Sequence, residues 1–194
     1  MEDVWVFGYG SLIWRPSFPF EERRKAWISG FARRLWQGSD DHRGVPGALG
    51  RVVTLVPMAE SRTVGVAFRI AGPNVPEVLD HLDWREKNGY ERHLVDLHGD
   101  DDRSFARGVV FVAGALNPHF LGDAPLDALV RQIAGARGPS GENREYVVEL
   151  AQALRALGAP DDHLESIVER LEQLPPDPGL AEGSAAGRSA EPGD

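Results

Sequence analysis

The sequence predicts an α+β fold. Six short apolar runs, at 4–9, 33–37, 52–56, 64–70, 94–97 and 109–113, all lie before residue 114. They are continuous rather than alternating, which suits strands buried on both faces or lining a small barrel. Apolar residues at helical spacing come mostly afterwards. Strands first and helices later set the class.

The first run ends in Gly8-Tyr9-Gly10-Ser11. Two glycines at a strand end look like the start of a dinucleotide fingerprint, but Ile13 stands where the third glycine belongs. Pro16 and Pro19 also prevent a helix from opening there. Ser11 is not in a nucleophile elbow, because G-x-S-x-G is absent. Two readings are left. The string is a tight turn at a strand end, or a loop whose backbone N–H groups come close to a carboxylate or carbonyl oxygen.

Mid-chain, Pro76 suits a helix start and Asn88-Gly89 its end. Leu79, Leu82 and Glu86 then fall at i, i+3 and i+7 and share the core-facing side. Burial and the negative end of the helix dipole both disfavour a charged Glu86, and Asp83 adds like charge if it points the same way. A carboxylate pushed toward neutrality is suited to taking and returning a proton. The plainer alternative is a surface Glu86 paired with Arg85 or Lys87. Asp100-Asp101-Asp102 reads as a solvated hairpin tip.

Three later helices are expected. Leu126, Leu129, Val130 and Ile133 follow Asp123 and Pro125. Ser140 is the expected cap of a second, with Val147, Leu150, Leu154 and Leu157 on one face and Gly158 at its end. A third starts at Asp162 with Glu165 three residues on, stacks Leu164, Ile167, Val168 and Leu171, and stops at Pro175. Residues 1–174 are therefore expected to form one domain. Residues 175–194 are dominated by Pro, Gly, Ala and Ser, with Leu180 almost alone as an aliphatic residue, and a disordered tail is expected there.

Composition removes several classes of function. The chain has no cysteine, which excludes disulfides, a thiol nucleophile and cysteine metal sites. The six histidines show no metal-ligand spacing, so no metal is expected. A net charge of −9 argues against nucleic acid as the main partner. No run approaches a membrane span, and the acidic start runs straight into a strand, so a cytoplasmic protein without membrane association is expected. The first 51 residues are the exception in charge, with eight Arg/Lys against six Asp/Glu. Arg15, Arg23, Arg24, Lys25, Arg33, Arg34 and Arg43 form a positive rim or simply a solvated face. Tyr146 is either core or a hydroxyl reaching into a site.

Taken together, the strings resemble the ChaC-type γ-glutamylcyclotransferases, which cleave glutathione. The likeness runs from Val4-Trp5-Val6-Phe7-Gly8-Tyr9-Gly10-Ser11-Leu12-Ile13-Trp14 through Arg34-Leu35-Trp36-Gln37-Gly38-Ser39 and Asp41-His42-Arg43-Gly44. It continues at Gly50-Arg51-Val52, Thr54-Leu55-Val56-Pro57, Gly65-Val66-Ala67 and Leu82-Asp83-Trp84-Arg85-Glu86-Lys87. Late matches are Asn117-Pro118, Gly138-Pro139-Ser140-Gly141 and Asn143-Arg144-Glu145-Tyr146. Asn88 departs mildly from a second glycine common in that family.

The resemblance implies a small mixed β-barrel with packed helices and a catalytic acid/base at Glu86. It also implies a γ-glutamyl pocket at Gly8, Tyr9, Gly10, Ser11, Leu12 and Ile13, with Arg43 and Tyr146 as further substrate-binding residues. The chemistry it implies is lactam closure. The α-amine of a γ-glutamyl amide attacks its own γ-carbonyl and expels the neighbouring amine, so neither cofactor nor metal is required. A base must take the amine's proton and an acid must protonate the leaving nitrogen, and one carboxylate can do both in turn. Two alternatives stand beside this: cyclotransfer on other γ-glutamyl amines or dipeptides, and a non-catalytic module that binds γ-glutamyl metabolites. The sequence is silent on oligomeric state.

Overall fold

A computed structural model of the chain describes residues 2–85 and 89–174. Glu86, Lys87, Asn88 and the segment 175–194 lie outside the described residues.

Five strands close into a barrel in the order β1-β3-β2-β4-β5. They are β1 (Val4–Gly8), β2 (Glu22–Ser39), β3 (Gly50–Ile70), β4 (Glu91–His98) and β5 (Ser104–Val112). All neighbours are antiparallel except β1 and β5, which pair in parallel at Trp5↔Gly108 and Val6↔Val109 and complete the ring. Val6, Ile28, Leu35, Leu55, Phe68 and Val110, drawn from four of the strands, are all fully buried in the core.

Two of the six expected runs turn out to be parts of one strand. Residues 52–56 and 64–70 both belong to β3, and 33–37 is only a segment near the end of β2. The missing stretches are polar because one side meets water. In β2, Ala26 and Ile28 point inward while Arg23, Arg24 and Ser29 are exposed, and the middle of β3 from 57 to 60 is exposed throughout. A continuous apolar run marks only the part of a strand buried on both faces. β2 also shifts register between Ser29 and Phe31, where Gly30 takes φ +79°, the left-handed region that glycine enters without strain.

The helices cover the barrel. They are α1 (Val75–Arg85), α2 (Leu126–Gly135), α3 (Asn143–Ala156) and α4 (Asp162–Glu172), and a two-residue ribbon of β6 (Arg137–Gly138) and β7 (Gly141–Glu142) leads into α3. The late helices bury most of the residues their spacing picks out: Leu129, Val130 and Ile133; Val147, Leu150 and Leu154; Leu164, Ile167, Val168 and Leu171. Leu126, at the first position of α2, is exposed instead, and Leu157, just past the end of α3, is half-buried. No described helix is long and apolar enough to cross a membrane.

One cap differs from expectation, while α4 starts at Asp162 as expected. Ser140 does not cap α3, whose first residue follows Glu142, because its hydroxyl lies 3.0 Å from His42 Nδ1 instead. The residue before that start, Asp161, caps α4 by accepting from Leu164 N at 3.3 Å. Asp161 is the residue with the non-helical backbone that a cap requires.

The arginine-rich start is not a uniform rim. Arg33 is 2% exposed and Arg43 is 5% exposed. Arg33 donates to Tyr9 O at 2.7 Å, to Val64 O and to Asp161 at 2.9 Å, so its charge holds barrel, glycine turn and α4 together. Burial pulls its pKa below the ordinary arginine value, and Asp161 opposes that pull.

Candidate active site

At one end of the barrel lies a cavity of about 360 Å³, within the usual range for small-molecule sites. Four parts of the chain meet there. The turn after β1 contributes Tyr9, Gly10, Ser11 and Leu12, and the β2–β3 hairpin contributes Ser39, Arg43, Val52 and Val53. Helix α1 brings Trp84 and Arg85, and α3 brings Tyr146.

The glycine turn is shaped from behind. Its residues 11–13 form one turn of 3-10 helix whose first bond runs from Ile13 N to Gly10 O at 2.9 Å, so the amides of Ser11 and Leu12 precede it. Tyr9 is buried, and its hydroxyl donates to Phe111 O at 2.7 Å. Of the six residues expected to form this wall, Gly8 and Ile13 do not line the cavity. Ile13 turns into the core, and a Cβ at Gly8 would stand 2.7 Å from Leu12 Cβ, so Gly8 serves to let the turn fold onto the strand. Gly10 faces inward, where a Cβ would meet Val53 Cγ2 at 3.0 Å and the Tyr146 hydroxyl at 3.4 Å.

Helix α3 is docked by two residues one turn apart. Asn143 is fully buried and forms a reciprocal pair with the backbone of Arg51, accepting from its N at 2.6 Å and donating to its O at 2.7 Å. Three residues on, the Tyr146 hydroxyl accepts from Val53 N at 3.3 Å. The i, i+3 spacing on a helix thus meets the i, i+2 spacing on one strand. Tyr146 is both buried and in the cavity wall, so the two readings of its sequence position are one.

Arg43 lines the cavity with its charge already engaged. It donates to Glu145 Oε2 and to Glu142 O, each at 2.9 Å, and Glu149 Oε2 lies 3.7 Å from its other terminal nitrogen. Its loop is packed backbone to backbone. A Cβ at Gly138 would overlap His42 O and stand 2.6 Å from Gly44 N, so only glycine fits there.

The end of α1 faces the glycine turn. Arg85 donates to Ser11 Oγ at 2.7 Å and to Ser17 Oγ at 2.9 Å, spanning both ends of the 11–17 loop. Leu82 is fully buried and Leu79 packs on the core beside it, as the helical phase predicts. Asp83 does not crowd that face. It is exposed and bound by Arg92 of β4, with Nε to Oδ1 at 2.8 Å. Glu86 follows directly after Arg85 and lies outside the described residues.

A family model described as ChaC-like protein matches residues 4–174. The chain belongs to the ChaC-like family. It is 40% identical over 185 residues to glutathione-specific gamma-glutamylcyclotransferase 1 of Rattus norvegicus, covering 92% of this chain and 83% of that protein. It is 34% identical over 197 residues to the glutathione-specific gamma-glutamylcyclotransferase of Saccharomyces cerevisiae, covering 78% of this chain and 85% of that one. A crystal structure of the γ-glutamyl cyclotransferase specific to glutathione from yeast superposes with a TM-score of 0.83 at 30% identity, over 89% of this chain and 97% of the other. A further structure called gamma-glutamyl cyclotransferase, at 17% identity and a TM-score of 0.53, shares the fold alone.

Within this ChaC-like chain, Arg85 and Asp161 are the residues that sequence reasoning undervalued. Arg85 was read only as a possible partner for Glu86, and nothing local marks its reach across to Ser11. Nothing in the local sequence marks Asp161 as the partner of Arg33, 128 residues away.

Proposed function

We propose that this protein is a γ-glutamylcyclotransferase that degrades glutathione to 5-oxoproline and Cys-Gly. The observation that carries the reading is the 40% identity, over 92% of the chain, to a relative named for that activity. The cavity between the glycine turn and the end of α1, which Glu86 follows in the sequence, is consistent with it.

In the reaction the γ-glutamyl α-amine attacks the γ-carbonyl, the C–N bond to cysteine breaks, and no water enters. Glu86 takes the proton from the amine and returns it to the leaving nitrogen. Amides of the 9–12 turn hold the glutamyl carboxylate or the developing oxyanion, in the part of the wall that also contains Tyr9, Gly10, Ser11 and Leu12. Tyr146 and Arg43 also line the cavity. Holding amine and carbonyl in contact supplies much of the rate, since the nucleophile is part of the substrate.

The test is product analysis by mass spectrometry. Glutathione yields 5-oxoproline and Cys-Gly with no free glutamate, while N-acetyl-glutathione, whose amine is blocked, is bound in competition assays but not cleaved. Free glutamate as first product, or cleavage of the acetylated compound, identifies an amidase. Equal turnover of γ-glutamyl-alanine widens the substrate class to γ-glutamyl dipeptides, and saturable binding without turnover leaves a binding module.

A further inference from the structure

The connection between β5 and α2, residues 113–125, is stitched along the end of β2. Gly38 N donates to His119 O at 2.7 Å, Leu121 N donates to Trp36 O at 2.8 Å, and Gln37 bridges to Phe120. Asn117 sits at the centre of this seam. Its Oδ1 accepts from His119 N at 2.8 Å and from Nε2 of the fully buried Gln37 at 3.3 Å. A backbone N–H can only donate, so the oxygen of the amide must face His119 and its nitrogen the other way.

What lies on that other side is Gly89. A Cβ there would stand 2.5 Å from Asn117 Nδ2, and the residue holds φ +82°. Gly89 is therefore glycine for two reasons, a left-handed backbone and an amide laid against its Cα. In the sequence, residues 86–88 run between Arg85, which donates to Ser11 at 2.7 Å, and Gly89, which packs against the Asn117 amide.

We propose that Asn117 is a positioning residue for proton transfer, acting through Gly89 on the stretch that carries Glu86. The proposal rests on the assignment of Glu86 as acid/base. Asn117 holds the exit of that stretch to the barrel wall, through Gln37 in β2, while Arg85 holds its entrance to the glycine turn. A displacement of a catalytic group by about 1 Å can cost on the order of 10² in rate, so an anchor three residues away is read in kcat.

The test is a double-mutant cycle on the full chain with steady-state 5-oxoproline release. N117A lowers kcat about tenfold or more with KM for glutathione within about threefold, because substrate still meets an intact glycine turn. G89A lowers kcat as well, since its Cβ meets the amide. The double variant N117A/G89A falls no further than G89A alone, the non-additivity expected of residues acting through one contact. N117D, which keeps the oxygen facing His119 and replaces only the NH2 facing Gly89, reproduces the kcat loss where N117A folds poorly. Wild-type kcat in N117D, losses confined to KM, or defects that multiply in the double variant overturn the proposal. E86Q is measured alongside: full turnover by E86Q removes the acid/base assignment itself, whereas an inactive E86Q with an unaffected N117D removes only the role of Asn117.

Discussion

The guanidinium of Arg85, the last residue of α1, donates to the hydroxyl of Ser11, the first residue of the 3-10 turn, at 2.7 Å. A second donor of the same group reaches Ser17 Oγ at 2.9 Å. One planar fork thus ties the wall of the cavity to the helix that leads to Glu86. Lysine has three donors but only one compact ammonium, and so lacks the two separate terminal nitrogens from which these bonds leave. R85K should lower kcat/KM for glutathione by about tenfold, or about 1.4 kcal/mol of transition-state stabilisation, while S17A, at an exposed end, stays within about twofold. Steady-state kinetics of the two variants decides it, and R85K with wild-type kcat/KM would remove the link.

Glu86 itself is tested by E86Q. Gln matches the shape of Glu but cannot accept the proton of the α-amine. Turnover should fall by about 10² to 10⁴, with the melting temperature unchanged and glutathione still bound in calorimetry. Activity within about tenfold of the unaltered protein would rule out the acid/base role.

Arg33 and Asp161 test the scaffold rather than the chemistry. Arg33 is buried at 2% exposure with Asp161 at 2.9 Å. D161N keeps a good helix cap but strands the guanidinium without a countercharge, at a cost of about 3–5 kcal/mol. D161A loses the cap too and should be about 1 kcal/mol worse, whereas D162N should change little. Urea unfolding of the three variants gives the order, and D161N as stable as the unaltered protein would show that Arg33 does not depend on this pair.

Much of this arrangement was legible in the sequence, and what was missed follows a physical pattern. The helix faces of α2, α3 and α4 were legible, apart from Leu126 and Leu157 at the helix ends, because each helix buries one stripe, which periodicity reports directly. The glycine turn was legible because two glycines at a strand end imply close backbone approach. The lengths of β2 and β3 were not, since their half-exposed stretches carry Arg, Lys, Glu and Ser like a loop. Arg33 shows the limit most plainly. A run of arginines reads as surface, and only the fold brings Asp161 to a guanidinium 128 residues earlier in the chain.

His163 offers a test through pH. Its Nε2 accepts from Leu35 N at 3.2 Å, which requires a neutral ring with the proton on Nδ1. Burial pushes its pKa below the ordinary value of 6.5, and Arg34 nearby pushes the same way, against a smaller opposing pull from Asp161. The unfolded chain therefore takes up the proton first as pH falls. The stabilisation is fully present above about 6.5 and is lost progressively as pH drops below it toward the folded value. H163Q keeps an acceptor for Leu35 N but has no proton to gain, so its stability should fall less than that of the unaltered protein between pH 7.5 and pH 5. Thermal or urea unfolding of both proteins across that range measures the difference directly. Parallel curves would mean that His163 is no more protonated in the unfolded chain than in the folded one.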